Sequence, residues 1–394
     1  MKDPSQYNSK PTIRNVAILA FPINDPEKSQ FIGLRRLAAV LATSVKEVFL
    51  ITGNFPKSFA HNDVKLINVP AWILKGQRRP LLTGALQVLV AQFTLSGALL
   101  RLIPKLKRNA GSVIVFDPVT ILLPTLLARL LGIRVLLVLR GYAEEAWQAR
   151  KDAFRKPLAW VKRINLALSH KVIIYHQSFV KGWNLERYQN KILVASYLFV
   201  DPDKFRPAKP LVERANLVGY IGRLGREKSV LEFVQAMPEL LKTRNDIMAL
   251  IVGDGQLRDE AEQYTRSQNL SNKVEFSGWI ANDDIPNYLN KLKLLILPSH
   301  TEGLPNTVLE AMACGTPVLA TPVGAIPNII TDGETGFIME DNSPECIARN
   351  IIRALTHPKL EEIARNARAL VEKEFTYQAA VERYRDILAS LNLK

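Results

Sequence analysis

Cysteine and histidine are scarce in this sequence, which has two cysteines and five histidines among 394 residues. Cys314 and Cys346 belong to no C-x-x-C pair, and the histidines lack the spacing of metal ligands. We therefore expect neither a disulfide framework nor a structural zinc site, and no metal at the functional site. A reducing compartment is the simplest environment for such a chain.

Acidic residues are scarce in the first half. Residues 1–200 contain 29 Lys and Arg against 10 Asp and Glu, whereas residues 201–394 contain 23 against 27. The net charge of +15 therefore originates in the first half, whose field favours anionic partners such as phosphorylated molecules or an acidic membrane leaflet. Because its strands show no basic platform interleaved with aromatic residues and no recognised module, nucleic-acid binding is not expected.

Signals for export and for membrane insertion are weak. The polar N-terminal segment MKDPSQYNSKPTIRN has no signal-peptide layout. Residues 81–100 carry no charge and are long enough to span a membrane, but Gln87, Gln92 and several small polar residues lower their hydrophobicity. Two alternatives remain for this segment: a largely buried helix of the first domain, which we favour, or a surface helix on an anionic membrane.

Short apolar runs rich in β-branched residues alternate with longer helical patterns, which indicates βαβ units and parallel sheets. Residues 201–215 contain three prolines and mixed charge, and therefore predict a linker between two doubly wound domains. The predicted strands are residues 16–21, 48–52, 64–69, 112–117, 134–139, 171–176 and 192–198 in the first half, and 217–222, 248–253, 274–278, 294–298, 318–321 and 336–339 in the second.

The segment LPSHTEGLPNTVLEAMACGTPVLA, residues 297–320, leads from a predicted strand through a polar loop into a helix. Glu302 lies in the loop, Pro305 suits the first helical position, and Glu310 lies one to two turns inside the helix. Backbone N–H groups at residues 303–307 favour an anion, and sugar hydroxyls are suitable donors to the carboxylates. Taken singly, either glutamate is better explained as an ordinary helix charge; together with their neighbours they indicate a site.

A second cluster, LVGYIGRLGREKSV at residues 217–230, carries two cations at the end of a predicted strand. Gly222 ends the strand, Arg223 follows it, and Lys228 precedes a helix that begins at Val230. Cations and helix-start amides in this position suit a diphosphate and can neutralise a leaving group. In isolation, an ordinary basic surface turn explains the cluster equally well.

In order and spacing, these segments resemble the retaining GT-B glycosyltransferases of family four, the group 1 type. The resemblance covers most of residues 217–340 and implies an α/β chain of two Rossmann-like doubly wound domains facing a cleft. It implies an acceptor-binding domain at 1–205, a nucleotide-sugar-binding domain at 206–375 and a final helix at 376–394 that packs back on the first domain. The matching segments are G-R-L-x-x-x-K at 222–228, V-G-D-G at 252–255, F-S-G-W at 276–279, P-S-x-x-E-G-L-P-N-x-x-L-E-A-M-A-C-G-x-P-V at 298–318 and D-G-x-T-G at 332–336.

The resemblance also implies roles for individual residues. Arg223 and Lys228 would bind the donor diphosphate and stabilise its departure, Glu302 would hold hydroxyls of the transferred sugar, and Glu310 would bind the ribose. The reaction would need no metal or other cofactor and would retain the anomeric configuration by front-face attack, so that electrostatic stabilisation of the leaving group is the main contribution of the protein. The remaining donor-binding positions are Gly222, Trp279, Ile280, Gly303, Leu304, Pro305, Asn306 and Thr307.

The first half departs from the pattern of the family. Its first loop has Gly33 where relatives often carry a glycine pair, and Arg140-Gly141 stands where many have His-Gly. Both Gly33 and Arg140 are candidates on the acceptor side, although Arg140 could contact acceptor or donor sugar or be purely structural. The same departure supports an alternative, a catalytically degenerate subunit that binds nucleotide or glycan in a complex.

The leading hypothesis is an active transferase that moves a hexose-type sugar from a nucleotide sugar to a glycan or lipid-linked acceptor. Retention of all four charged donor residues favours it over the degenerate subunit. The basic first half predicts a cytoplasmic protein that lies peripherally on the inner face of the plasma membrane.

Overall fold

The computed structural model describes residues 15–22, 29–55, 63–70, 81–140 and 155–391. The described chain forms two compact units. The first contains the residues up to Arg140, those from 155 to Leu198 and those from Tyr377 onward, and the second contains Phe199–Thr376. The final helical segment of the chain therefore belongs to the same unit as its beginning.

The first unit is built on a seven-stranded parallel sheet with strand order β3-β2-β1-β4-β5-β6-β7. Its central strands, β1 and β4, are buried along their whole length. Helices cover both sides of such a sheet, so the strands are apolar on both faces. The order reverses between β1 and β4, where Val16 pairs with both Val48 and Ser112. The strands are β1 (Asn15–Ala20), β2 (Glu47–Thr52), β3 (Val64–Asn68), β4 (Ser112–Phe116), β5 (Arg134–Val138), β6 (Lys171–Ile174) and β7 (Ile192–Val194).

Three helices of this unit, α2, α3 and α4, pack side by side. The side chain of Gln92 on α2 joins two of them, since its amide oxygen accepts from the backbone N–H groups of Leu122 (3.0 Å) and Leu123 (2.9 Å) at the start of α3. The helices of the unit are α1 (Ser29–Ala42), α2 (Leu81–Arg108), α3 (Leu123–Leu130), α4 (Arg155–Leu168) and the short α5 (Phe179–Gly182).

Helix α2 is the segment for which two alternatives were open. It has the length and composition of a membrane-crossing helix, but less than half of its most apolar window is buried inside the protein. The expectation of a largely buried helix is therefore only half right, because one face of α2 packs in the core and the opposite face is exposed.

The second unit is built on a six-stranded parallel sheet with strand order β10-β9-β8-β11-β12-β13. The order reverses between β8 and β11, and in open parallel sheets ligands bind outside the carboxyl ends of the strands at such a reversal. The strands are β8 (Leu217–Ile221), β9 (Met248–Val252), β10 (Val274–Gly278), β11 (Leu294–Leu297), β12 (Val318–Ala320) and β13 (Phe337–Ile338).

Helices cover this second sheet, and α6 and α10 pack against each other. Short 3-10 turns at Leu211–Glu213, Arg226–Lys228 and Ile326–Asn328 shape the connections. The helices are α6 (Val230–Thr243), α7 (Arg258–Ser267), α8 (Ile285–Leu289), α9 (Asn306–Ala313), α10 (Pro344–Leu355) and α11 (Leu360–Glu374).

The last helix, α12 (Tyr377–Ser390), returns to the first unit. The Tyr377 hydroxyl donates to the Ala39 carbonyl of α1 at 3.1 Å, and the guanidinium of Arg134 donates to the Leu391 carbonyl. The predicted return of the final helix is confirmed.

All thirteen predicted strands coincide with observed ones, and most observed strands end a residue or more earlier than predicted. The predicted linker at residues 201–215 lies within the second unit. There the buried Arg214 guanidinium donates to the carbonyls of Leu292 (3.0 Å) and Cys314 (2.8 Å). This segment is therefore fastened to the domain that follows it.

Candidate active site

The turn after β8 is fixed by backbone groups and one buried phenol. Gly222 N donates to the Val252 carbonyl at 2.9 Å, and the Tyr220 hydroxyl donates to the Arg223 carbonyl at 2.8 Å. Burial, and then the nearby charge of Glu302, raise the pKa of Tyr220 well above its ordinary value. Tyr220 therefore remains a neutral donor that holds this turn in shape.

The turns after β9 and β10 meet the same sheet edge. Gly253 has a φ of +130°, and a Cβ there would lie 1.9 Å from the Gly222 carbonyl oxygen, so only glycine fits. Its N–H donates to the Gly278 carbonyl at 2.8 Å. Trp279 and Ile280 directly follow Gly278, which places them at the carboxyl end of the sheet, two strands from β8. Trp279 is more than half exposed.

The two predicted cations lie on a short turn between β8 and α6. The guanidinium of Arg223, about half exposed, forms an ion pair with the buried carboxylate of Glu227. Lys228 ends the 3-10 turn, and Ser229, with a left-handed φ of +51°, leads into α6. A buried carboxylate thus orients one cation, and the turn presents the other.

Glu302 joins this turn to the loop after β11. Its Oε1 accepts from Lys228 Nζ at 2.6 Å and from Ser299 Oγ at 2.7 Å. The Glu302 side chain is 7% exposed and that of Lys228 is 20% exposed, so the pair is largely removed from water. His300 N also donates to the Glu227 carbonyl at 3.0 Å. The structure therefore brings Arg223, Lys228 and Glu302 together where the strand order reverses.

The loop after β12 supports the backbone next to Glu302. Ala325 N donates to the Gly303 carbonyl at 2.9 Å. Gly324 has a φ of +61°, and a Cβ there would lie 2.1 Å from the Glu302 carbonyl oxygen. This close approach requires glycine, and together with the hydrogen bond from Ala325 it supports the backbone of residues 302–303.

Helix α9 begins beside this loop, at Asn306. Pro305 was expected at the first helical position, but its ψ of 125° makes it the extended residue before the helix. Leu304 precedes it, and Thr307 is the second helical residue. The first N–H groups of a helix have no intrahelical partner and stabilise an anion. The start of α9 can therefore stabilise an anion as predicted, although the helix begins one residue later.

Glu310 lies within α9 and is 3% exposed. Its backbone carbonyl accepts from Cys314 N at 3.0 Å. Burial raises the pKa of Cys314 to about 12, with a smaller contribution from the charge of Glu310. Glu310 is therefore a carboxylate inside the helix, distinct in position from the loop residue Glu302.

On the acceptor side, the structure brings Gly33 and Arg140 together. A Cβ on Gly33 would lie 3.0 Å from the Tyr197 hydroxyl and 3.4 Å from an Arg140 guanidinium nitrogen. The Arg140 guanidinium stacks over the Phe116 ring at 5.1 Å, and Tyr175 and Tyr197 share a hydrogen bond of 2.7 Å. Gly33 therefore leaves room for a cluster of one cation and aromatic rings at the carboxyl end of the first sheet.

Asp117 was not predicted in this cluster. It directly follows β4 with a left-handed φ of +58°. Burial raises its pKa, while Arg140 and Lys162 act in the opposite direction. Gly141, which follows Arg140 in the family comparison, lies outside the described residues, as do residues 23–28 of the first loop.

The sequence reasoning also missed the residues that position the cations and Glu302. Ser299 comes two residues after β11, so a rule that strand ends carry polar site residues would have found it. Glu227 and Asn342 gave no such signal; Asn342 Nδ2 donates to Ser229 Oγ at 2.6 Å and lies 3.1 Å from the His300 ring. In the part of the chain that the structure describes, no three His, Cys, Asp or Glu residues form a metal-binding group.

Comparison with known proteins finds a similarity to one family in the part of the chain that contains this site. Residues 201–370 match the model of the glycosyl transferases group 1. Alpha-D-kanosaminyltransferase of Streptomyces kanamyceticus is 30% identical over 214 residues, which are 53% of this chain and 55% of that protein. The chain spans about half the length of the curated relatives it matches.

Solved structures extend the likeness to nearly the whole chain. Sucrose-phosphate synthase from Thermosynechococcus elongatus has a TM-score of 0.75 at 19% identity and covers 96% of this chain and 99% of its own. HepE of Anabaena in complex with UDP has a TM-score of 0.73 at 16% identity and covers 96% of this chain and 100% of its own. The chain therefore has the GT-B fold, and its residues 201–370 are similar to the group 1 glycosyl transferases.

Proposed function

We propose that this protein is a retaining, metal-independent glycosyltransferase that moves a hexose-type sugar from a nucleoside-diphosphate sugar to a glycan or lipid-linked acceptor. The observation that carries the proposal is the hydrogen-bonded ion pair of Lys228 and Glu302, with Arg223 beside it, at the carboxyl ends of β8 and β11. Cations for a diphosphate and a carboxylate for sugar hydroxyls are thereby combined at one sheet edge.

The two cations would stabilise the leaving group. As the bond between the sugar and the diphosphate breaks, negative charge accumulates on the phosphate oxygens, and preorganised cations lower the energy of that state. Glu227 holds the Arg223 guanidinium in place. The Lys228 ammonium has several N–H donors, so it can bind Glu302 and phosphate oxygens together. Because this charge is supplied by side chains, the reaction would proceed without a metal.

The carboxylates would bind the two sugars of the donor. Glu302, fixed by Lys228 and Ser299, accepts from hydroxyls of the transferred sugar, and Glu310 in α9 accepts from those of the ribose. Phosphate oxygens would meet the N–H groups at the start of α9. Departure of the diphosphate on the face from which the acceptor attacks gives retention, and a phosphate oxygen would accept the acceptor's proton. The HepE complex contains UDP, so a uridine donor is the first to test.

The acceptor would bind the first unit, near Arg140 and Gly33. This cluster has a cation, and the first half of the chain carries the whole positive surplus. An acceptor that bears phosphate, such as a lipid-linked glycan, would suit that charge. We place the protein in the cytoplasm, peripherally on the inner face of the plasma membrane.

Donor hydrolysis tests the proposal without knowledge of the acceptor. The full chain is incubated with UDP-, GDP- and ADP-sugars in the presence of EDTA, and the released nucleoside diphosphate is measured. We expect release from one class of donor, with the first sugar product in the anomeric configuration of the donor by proton NMR. Thermal shifts with the same donors report binding, because a bound ligand stabilises the folded state.

The outcomes separate the parts of the proposal. Inversion of the sugar would contradict retention, and loss of release in EDTA would contradict metal independence. If the protein binds nucleotides but releases no nucleoside diphosphate from any donor, the result would favour the alternative of a degenerate, nucleotide-binding subunit over an active transferase. Lys242→Ala is the matched control for substitution of Lys228. Lys242 is an exposed lysine on α6, and its one described ion pair is with the surface residue Glu239.

A further inference from the structure

The exposed face of α2 carries an apolar stripe. Leu86, Leu89, Phe93 and Leu100 are 50%, 55%, 67% and 49% exposed, and their spacing places them on one side of the helix. We call these four residues the outer stripe. At 1.5 Å per residue the stripe is about 21 Å long. Large apolar side chains that are exposed in a contiguous group mark an interaction surface.

The opposite face of α2 is held in the domain. Leu95, Leu99 and Leu106 are buried in the core, and Gln92 satisfies the backbone at the start of α3. If α2 crossed a membrane, these apolar contacts and hydrogen bonds would be lost. The structure therefore favours a helix that lies along an apolar phase and does not traverse it.

In the three described helices that form this surface, every charged side chain is basic. Helices α2, α3 and α4 carry four, one and four Lys and Arg residues, and no Asp or Glu. Those on α2 lie beyond the stripe in the last two turns and are exposed: Arg101, Lys105, Lys107 and Arg108. The neighbouring helices add exposed apolar side chains, Leu126 and Leu130 on α3 and Trp160 on α4.

We propose that this layer docks on an anionic phospholipid bilayer, with the outer stripe inserted among the acyl chains and the basic residues at the headgroups. Apolar insertion and attraction to acidic lipids act together in such helices. A second copy of this chain fits the same surface poorly, because two-fold pairing would place basic residues of both copies opposite one another. The docking surface rests on the proposed peripheral location, but not on the transfer chemistry.

Sedimentation with vesicles tests the proposal on the full chain. Vesicles of phosphatidylcholine alone are compared with vesicles of phosphatidylcholine and phosphatidylglycerol in equal amounts. We expect binding to the anionic vesicles only, and weaker binding as the salt concentration rises.

Two variants and a control locate the surface. Phe93→Glu should lower the partition coefficient for anionic vesicles at least about tenfold, because it removes an inserted aromatic side chain and adds a negative charge. Lys107→Glu combined with Arg108→Glu should lower it similarly. Val212→Glu is the matched control, since Val212 is also 67% exposed but lies in the second unit, and it should leave vesicle binding unchanged.

Three results would overturn the docking surface. The first is equal binding of wild type to neutral and anionic vesicles, or to neither. The second is unchanged vesicle binding by Phe93→Glu. The third is a change from dimer to monomer in Phe93→Glu without an effect on vesicles, which would assign the stripe to a second copy. Because Phe93 is exposed, the variant should keep its melting temperature and its donor hydrolysis, so loss of docking is distinguishable from failure of the proposed reaction.

Discussion

Lys228 and Glu302 are separated by 74 residues in sequence and by 2.6 Å between their interacting atoms. One partner closes the turn after β8 and the other lies in the loop after β11, so the pair joins the two sides of the strand-order reversal. A largely buried ion pair is costly unless its geometry is good and its remaining sites are used. Ser299 supplies part of that support, because its hydroxyl donates to Glu302 at 2.7 Å, and this is the physical reason for treating the pair as part of a site.

Lys228→Ala and Arg223→Ala should each lower donor hydrolysis and transfer roughly 10²–10³-fold, as loss of a charge-stabilising donor does elsewhere. The loss should appear mainly in kcat, because negative charge on the leaving group grows in the transition state. Steady-state kinetics with the best donor measures it, with Lys242→Ala as the control. Wild-type rates in both variants would refute the diphosphate assignment.

Glu310→Gln should weaken donor affinity and leave kcat nearly unchanged, because ribose hydroxyls are bound equally in the ground state and in the transition state. Isothermal titration with the nucleoside diphosphate measures the affinity. Glu302→Gln provides the comparison, since it should lower kcat through the transferred sugar. Equal affinity of the Glu310→Gln variant and wild type would count against the ribose role.

Asp117→Asn should stabilise the protein at neutral pH. Burial raises the pKa of Asp117, so the stability contributed by this group is present at low pH and is lost as the pH rises through its folded pKa. Asparagine tolerates the left-handed backbone at this position. Melting temperatures should therefore differ at pH 7 and converge toward pH 4, in the ordinary range of the carboxyl.

Asp203→Asn controls for the removal of a negative charge, because Asp203 is exposed in the second unit. A lower melting temperature for Asp117→Asn at neutral pH would show that the attraction of the Arg140 and Lys162 charges outweighs the cost of burying the Asp117 carboxylate.

Residues that bear the chemistry were easier to predict than residues that position them. Arg223, Lys228 and Glu302 lie in the segments that follow β8 and β11, and the apolar runs of these strands direct attention to them. Glu227 is a charged residue within a charged turn, and no pattern in the neighbouring sequence predicts that its side chain is buried. Its role depends on the packing of this turn against the loop after β11, which sequence spacing does not encode.

At the level of elements, the loop after β12 acts as a rigid support for the loop that carries Glu302. The support depends on the contact between Gly324 and the Glu302 carbonyl and on the hydrogen bond from Ala325 to Gly303. Apart from the 3-10 turn at Ile326–Asn328, these two loops contain no regular strand or helix, so their shape depends largely on this contact.

Gly324→Ala should destabilise the second unit by about 2 kcal/mol or more and weaken donor binding, because a Cβ would displace the backbone of Glu302. Gly333→Ala is a matched control: its φ is +75°, but a Cβ there would meet no atom within 4 Å. It should cost only about 1 kcal/mol, the strain of the left-handed backbone. Urea unfolding with and without nucleotide measures both effects, and equal losses in the two variants would contradict the supporting role.

Strand positions followed from sequence because buried parallel strands are short apolar runs with few alternatives. Two helix features did not follow. Pro305 looked like a first helical residue, yet its extended ψ places it before the helix. The charge-free run at 81–100 left two alternatives open, a largely buried helix or a surface helix. The burial of Leu95 and Leu99 in the core and the hydrogen bonds of Gln92 at the start of α3 distinguish its inner face from the outer stripe.

For the whole molecule, the proposed binding functions fall in units of different charge. The first half of the chain carries a surplus of positive residues and the second half is slightly acidic. The proposed anionic acceptor and the anionic bilayer belong to the basic unit. The proposed donor site lies in the other unit, where Arg223 and Lys228 supply positive charge locally in spite of the overall sign. At short range a few placed charges outweigh the net charge.

The labelling rate of the two cysteines measures how often the second unit unfolds locally and exposes their thiols. Cys314 and Cys346 are free and buried there, and burial raises the pKa of both thiols, that of Cys314 to about 12. We expect Ellman's reagent to label them slowly in the native protein and rapidly in denaturant. A bound nucleotide sugar should slow native labelling, because it stabilises the folded unit. Uridine, which lacks the diphosphate, is the control, and fast labelling without denaturant would contradict the burial.

The return of α12 to the first unit has a consequence for biosynthesis. The ribosome synthesises residues 199–376 of the second unit before it makes α12, so the first unit lacks this helix until residues 377–390 have been translated. Domains fold largely as units while the chain emerges from the ribosome. The second unit can therefore fold early, while α1 still lacks its contact with Tyr377 of α12. A stop codon just before Tyr377 would therefore leave the second unit complete. The first unit would lack α12, and the apolar surface that this helix covers would be exposed.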